Sequence, residues 1–294
     1  MVTHIMNIGI IGVGLVGTAL AERLVGAGRS VVGFDVDRAR MAMLTEIGGQ
    51  AAASAAEVVS RCDICLLALL DSKVTAEVAT RLHAELQERH VLVDLSTGDP
   101  DVAVQLASQF GARGVMYADA PLSGSSEQIR KGEAIAMVGC AAWQLERIVE
   151  LLDLIAADWV RVGEPGSGQK AKLATNVLLG LNRAALAEAL AFAEAIGLDG
   201  HAFIEIARMT PAYSRAIDAK GERMVTRSYI AESRISQHRK DLDLILAAAR
   251  QVGRVLPLTE THAALLDRAI ASGYGDLDNA AIVEVLRAPQ SEIL

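Results

Sequence analysis

Along the first half of the chain, short apolar or β-branched runs alternate with stretches in which apolar residues recur every three to four positions. Asn7 to Ile11, Ser30 to Phe34, Ile64 to Leu69 and Val91 to Asp94 are predicted strands, and Val115 to Asp119 and Ala134 to Val138 extend the expected sheet to six strands or more. Amphipathic segments such as Thr18 to Ala27 and Lys73 to Arg89 lie between them, with Gly28 ending the first. This rhythm is that of repeated βαβ units on a parallel sheet. After about Gly163 the strand signals stop. Gln169 to Ile196 runs without proline, with Gly180 inside and Gly197 at its end, and predicts one helix roughly 40 Å long that joins two domains. Shorter helices are predicted over His201 to Met209, Ser214 to Thr226, Gln237 to Val252, Leu258 to Ser272 and Asn279 to Arg287.

Composition narrows what such a chain does. With 294 residues, two ordinary domains can each bury a core. Apolar residues make up 52% but aromatics only 3%, so that core is built from Ala, Val, Leu and Ile, and a base-stacking platform for single strands is excluded. A net charge of -8 excludes a broad basic face for nucleic acid or anionic lipid, and a small molecule is the expected partner. The longest apolar run, Ile64 to Leu70, is too short to span a bilayer, and the N-terminal segment does not read as a leader, so the expected location is cytoplasmic. Cys62-Asp-Ile-Cys65 has redox or zinc spacing, yet it leads into a predicted buried strand on which residues three apart face opposite ways, and it is read as core.

Gly12-Val-Gly14-Leu15-Val16-Gly17 follows a predicted strand and opens a predicted helix, the setting that the dinucleotide fingerprint requires. Gly12 permits the tight turn, Gly14 the approach of a pyrophosphate, and Gly17 close packing of helix on strand. Asp35, at the end of the second strand, suits the ribose hydroxyls and favours NAD over NADP, because a 2′-phosphate would meet Asp35 and Asp37. Arg38 and Arg40 are read as a solvated helix start. The expected fold is thus α/β: a Rossmann dinucleotide-binding domain over 1–165, then an all-α substrate and oligomerisation domain over 166–294, linked by the long helix.

The candidate chemistry lies where that helix begins, at Gly166-Ser-Gly168-Gln-Lys-Ala-Lys172-Leu-Ala-Thr-Asn176. Lys172 and Asn176, four apart, stack on one helical face; the lysine can move a proton while the asparagine holds an oxygen. With Asp94-Leu-Ser96-Thr97-Gly-Asp-Pro100, Asp119-Ala-Pro121-Leu-Ser123-Gly124, Lys240-Asp241-Leu and Gly275-Asp-Leu-Asp278, the chain resembles the β-hydroxyacid dehydrogenase family, which includes 3-hydroxyisobutyrate dehydrogenase and tartronate semialdehyde reductase and is related to 6-phosphogluconate dehydrogenase. The resemblance implies hydride transfer between a nicotinamide and a short β-hydroxyacid in a cleft between the domains. It also implies Lys172 as acid/base, Asn176 fixing the substrate, Ser123 and the Gly124 backbone on its carboxylate, Leu69, Thr97 and Lys240 along the cofactor, no metal, and a homodimer or homotetramer.

Where the family commonly has asparagine, glycine, proline and a nearby aromatic, this chain has Thr175, Ser125, Leu70 and Ser233, which alters the pocket more than the reaction. His201 and Glu205, four apart, are read as a surface pair. Imine reduction on the same scaffold is the second reading, although such relatives usually carry Asp or Tyr in place of the lysine. A non-catalytic NAD sensor is the third, and it predicts loss of the Lys172 and Asn176 pair, which is intact.

Overall fold

The computed structural model describes residues 7–288; residues 1–6, part of the N-terminal segment read for a leader, lie outside it. Its contacts group the chain into residues 1–172 and 173–294. The first unit is a sheet sandwiched by helices. Its elements run β1 (Ile8–Ile11), α1 (Leu15–Gly26), β2 (Val31–Phe34), α2 (Arg38–Glu46), β3 (Gln50–Ala51), α3 (Ala55–Arg61), β4 (Ile64–Leu67), α4 (Ser72–Leu82), β5 (Val91–Asp94), α5 (Pro100–Gly111), β6 (Met116–Asp119), β7 (Leu122–Ser123), α6 (Ser126–Lys131), β8 (Ile135–Gly139), α7 (Val149–Ile155) and β9 (Asp158–Gly163).

The strand order β3-β2-β1-β4-β5-β6 is parallel throughout, after which β8 joins β6 antiparallel and pairs with both β7 and β9. The order reverses between β1 and β4, the topological switch point at which α/β sheets bind ligands. Both faces of these strands are covered, which is why they read as apolar runs. One core layer gathers Ile8, Ile10, Leu20, Leu66 and Val93; the other gathers Val32, Val58, Leu67, Leu92 and Phe110.

The pattern missed β3, β7 and β9 for physical reasons. Two are only two residues long, and β9, Asp-Trp-Val-Arg-Val-Gly, alternates exposed with half-buried positions at the margin of the sheet. The cysteine pair needs a correction. Cys62 precedes β4 rather than lying on it, and both thiols enter the same core layer; they are inert because burial raises them, Cys62 to about 11.

Helix α8 (Ser167–Ala195) crosses from one group of contacts to the other without a break. The second unit continues with α9 (Gly200–Met209), α10 (Glu222–Thr226), α11 (Ile235–Gln251), α12 (Pro257–Ala271) and α13 (Ile282–Arg287), around a core that includes Leu186, Leu190, Leu242, Leu266 and Val283. The helix expected over Ser214 to Thr226 is present, helical from 215 to 226, with a π-helical turn, Ile217–Gly221, inside it that leads into α10. Gly221 lets this turn pack closely on α9, since a Cβ there would sit 2.9 Å from the Ile204 side chain. His201 does not pair with Glu205 but with Glu222, while Glu205 meets Arg208. No described helix is long and apolar enough to cross a membrane.

Candidate active site

The glycine-rich turn leaves β1 at the switch point. Gly12 has a φ of 95°, and a Cβ there would lie 2.4 Å from the Ala68 carbonyl at the end of the neighbouring strand. A Cβ on Gly17 would lie 1.9 Å from the Gly12 carbonyl, so glycine alone lets α1 start this close to β1. Gly14 is the N-cap of α1; no side chain caps the helix, and no acidic residue stands in its first turn. Its first N–H groups therefore face outward with the positive end of the helix behind them, which is the cradle a pyrophosphate needs. Leu15 is exposed on this turn and Val16 half-buried against the core.

Asp35 follows β2 and serves the turn directly. Its carboxylate accepts the Val13 N–H at 2.7 Å through one oxygen and the Asp37 N–H at 2.9 Å through the other. Each oxygen keeps a lone pair for a further donor. Arg40 is not merely solvated: its guanidinium lies 3.4 Å from Asp37 and also donates to the Val13 carbonyl at 3.4 Å. Val36, between the two acids, is exposed.

Thr97 and Leu69 sit beside each other's loops past the ends of β5 and β4, where the Leu69 N–H donates to the Ser96 hydroxyl at 3.0 Å. Ser123 ends β7, and Gly124 packs so closely that a Cβ would meet Ala134 at 3.0 Å. Ser125 is occupied by a capping box with Gln128 at the start of α6, so its hydroxyl holds a helix.

Two side chains that the sequence reading gave no role pin the start of α8. Asp119, fully buried at the end of β6, accepts the Gly166 N–H at 2.7 Å and the Gln169 N–H at 2.8 Å. The Gln169 side chain then clasps Thr97 on both flanks, donating to the Ser96 carbonyl and accepting from the Gly98 N–H, at 2.8 and 2.9 Å. Gly168 makes this docking possible, since a Cβ would lie 2.4 Å from the Met137 carbonyl. Lys172, one turn further on, is 7% exposed, so a charged residue type occupies a nearly dry position next to this clasp.

Burial moves the Asp119 carboxyl from its ordinary 3.8 up to about 6, against the pull of the two helix N–H groups. The folded chain thus holds this proton more tightly than the unfolded chain. The stability that this proton brings is fully present below about pH 4 and is lost as pH rises to about 6. Relative to Asp119→Asn, the wild type is expected to lose on the order of 3 kcal/mol across that window. Urea unfolding of both proteins from pH 4 to 7 measures the difference, and a flat difference contradicts the assignment.

In the second unit Asn176, 4% exposed, donates to the Asp241 carboxylate on α11 at 3.3 Å, which fixes the orientation of the amide. Lys240 is its half-buried neighbour on the same helix.

Comparison with known proteins accords with this geometry. Residues 7–163 match the model for the NAD binding domain of 6-phosphogluconate dehydrogenase, and residues 166–286 that for the NAD-binding region of NADP-dependent 3-hydroxyisobutyrate dehydrogenase. The chain belongs to the β-hydroxyacid dehydrogenase family. It is 32% identical to the 2-hydroxy-3-oxopropionate reductase of Escherichia coli (strain K12), over 96% of this chain and 97% of that one. It is 30% identical to the 2-(hydroxymethyl)glutarate dehydrogenase of Eubacterium barkeri, over 95% and 94%. Among solved structures, Mycobacterium tuberculosis 3-hydroxyisobutyrate dehydrogenase with L-serine superposes with a TM-score of 0.86 at 25% identity, covering 97% of this chain and all of that one. As a β-hydroxyacid dehydrogenase the chain is an oxidoreductase acting on CH–OH groups, with an N-terminal Rossmann domain and a helical C-terminal domain.

Proposed function

We propose that the protein oxidises a short β-hydroxyacid with NAD, or reduces the matching semialdehyde or oxo acid with NADH. The observation that carries this reading is the Gln169 clasp, which holds the loop of Thr97 against the helix turn bearing the buried Lys172. When bound, the nicotinamide exchanges a hydride with the substrate carbon. Lys172 takes the hydroxyl proton during oxidation and returns it to the developing alkoxide during reduction. Asn176, oriented by Asp241, holds the same oxygen, and Ser123 with the Gly124 N–H takes the carboxylate. Gly12 to Gly17, with Leu15 and Val16 on the turn, carry the pyrophosphate, while Leu69, Thr97 and Lys240 lie along the cofactor.

The choice of NAD rests on Asp35 and Asp37. A 2′-phosphate at the ribose would face two carboxylates and an arginine already engaged by Asp37. The model matching residues 166–286 is named for NADP-dependent enzymes; the acids after β2 point the other way for this chain. The test is a panel of 3-hydroxyacids and their aldehydes, each with both cofactors, read as kcat/KM from the change in NAD(P)H absorbance. The expected result is turnover of the hydroxyacids with NAD favoured by about tenfold or more. A preference for NADP overturns the cofactor assignment, and activity confined to imines and amines overturns the reaction.

A further inference from the structure

Gly12 and Gly17 are required by the protein's own packing, since a Cβ on either would press on a backbone carbonyl, at 2.4 and 1.9 Å. Gly14 is not. Its extended backbone, with a φ of -75°, suits any residue, and apart from the chain on either side a single atom lies within 4 Å of the point where its Cβ would stand. That atom is Nη1 of Arg40, at 2.8 Å. The bare side of this glycine is the one that lets the backbone approach a pyrophosphate, so the one side chain that reaches it is a guanidinium.

Arg40 is poised rather than locked. Its Nε donates to Asp37 and its Nη1 to the Val13 carbonyl, each at 3.4 Å, beyond the usual range of about 2.7–3.2 Å. Nη2 makes no hydrogen bond among the described residues. The Val13 carbonyl also accepts the Thr18 hydroxyl at 3.2 Å, so it keeps a partner when Arg40 turns away. Asp37, which caps α2 by accepting the Ala39 N–H at 2.9 Å, holds the Nε edge and leaves the Nη end at the glycine turn. The Arg38 side chain, two residues earlier, is exposed and makes no hydrogen bond or ion pair among the described residues.

We infer that Arg40 binds the pyrophosphate of the dinucleotide, its Nη groups exchanging the long bond to Val13 for charge-assisted bonds to the phosphate oxygens. This rests on the proposed function in one respect, that the dinucleotide lies on the glycine turn. The exchange is favourable, because a hydrogen bond between two charged groups is roughly twice as strong as one to a neutral carbonyl. It also answers a problem of charge. Asp35 and Asp37 place two carboxylates beside a site that must accept a dianion, and the helix N-terminus supplies only about half a positive charge against them. Arg40 stands at Gly14 and forms no ion pair with Asp35, where the ribose is expected, so the phosphates within its reach are those of the pyrophosphate and not a 2′-phosphate.

The experiment titrates the full chain with NADH and NADPH by fluorescence, and with ADP and adenosine by competition against NADH. In Arg40→Met the Kd for NADH and for ADP is expected to rise about tenfold, while that for adenosine stays within about twofold. Arg40→Lys, which keeps the charge without the fork, should give a loss of about threefold, and it decides the matter if the methionine variant does not fold. Arg38→Met removes the same charge from the same helix start and should change every Kd by less than about twofold. Unchanged affinity for ADP in both Arg40 variants overturns the inference. So does an equal loss for adenosine, which places the contact on the nucleoside or the turn itself, an equal loss in Arg38→Met, which reduces it to general charge, or a larger loss for NADPH than for NADH, which moves it to a 2′-phosphate. A wild type that binds NADH and ADP no better than the Arg40 variants do defeats Arg40 alone; one that binds neither defeats the proposed function beneath it.

Discussion

Replacing Lys172 with alanine is expected to lower kcat by about a thousandfold or more while the affinity for NADH changes less than about threefold. The lysine is nearly dry, and its turn of α8 is held by Asp119 and Gln169 through bonds that the alanine variant keeps. Proton handling is therefore lost without disturbing the cofactor cradle, which lies in the turn after β1. Single-turnover kinetics and NADH fluorescence titration separate the two effects. If turnover stays within tenfold of the wild type, Lys172 is not the acid/base; if NADH affinity falls with it, the residue supports the fold instead.

Gly17→Ala is expected to act at the opposite end of the reaction. The added methyl would lie 1.9 Å from the Gly12 carbonyl, a backbone atom that no side-chain rotation can move aside. Helix α1 must then move off β1, taking the N–H cradle with it, at a cost of about 3 kcal/mol or more. NADH affinity should weaken by more than about a hundredfold, with a parallel fall in the urea midpoint. Gly26 provides the control. It lies in the same helix with open space around it, and Gly26→Ala should leave both measurements nearly unchanged.

The main strands of the first unit were legible because a strand buried on both faces must be apolar along its length, as Ile64-Cys-Leu-Leu67 is. β9 was not legible, since its exposed face carries Val160 and Val162 while its half-buried face carries Arg161, so polarity does not follow the pleat. The long helix was visible from an uninterrupted pattern, as was the helix from 215 to 226, but a single π-helical turn such as Ile217–Gly221 leaves too little periodicity to be told from an α-helical one. At the candidate site, Lys172 and Asn176 were singled out by their spacing only once the other motifs had joined them in the family resemblance. Their supports were not, because Asp119 and Gln169 act across 50 residues and Gln169 reaches Ser96 across 73. A glutamine in a helix start carries no local sign that it will clasp a distant loop.

Asp35 holds a lesson for anyone who would re-engineer the coenzyme. An acid after the second strand invites replacement by a neutral residue to admit the phosphorylated dinucleotide. Here that same carboxylate is a strut, tying Val13 in the glycine turn to Asp37 at the head of α2. Removing it would relax the pocket while emptying it of charge, so that affinity for either coenzyme would suffer. The exposed Val36 bears no such weight, and a redesign that begins there, leaving the strut in place, starts from an intact scaffold.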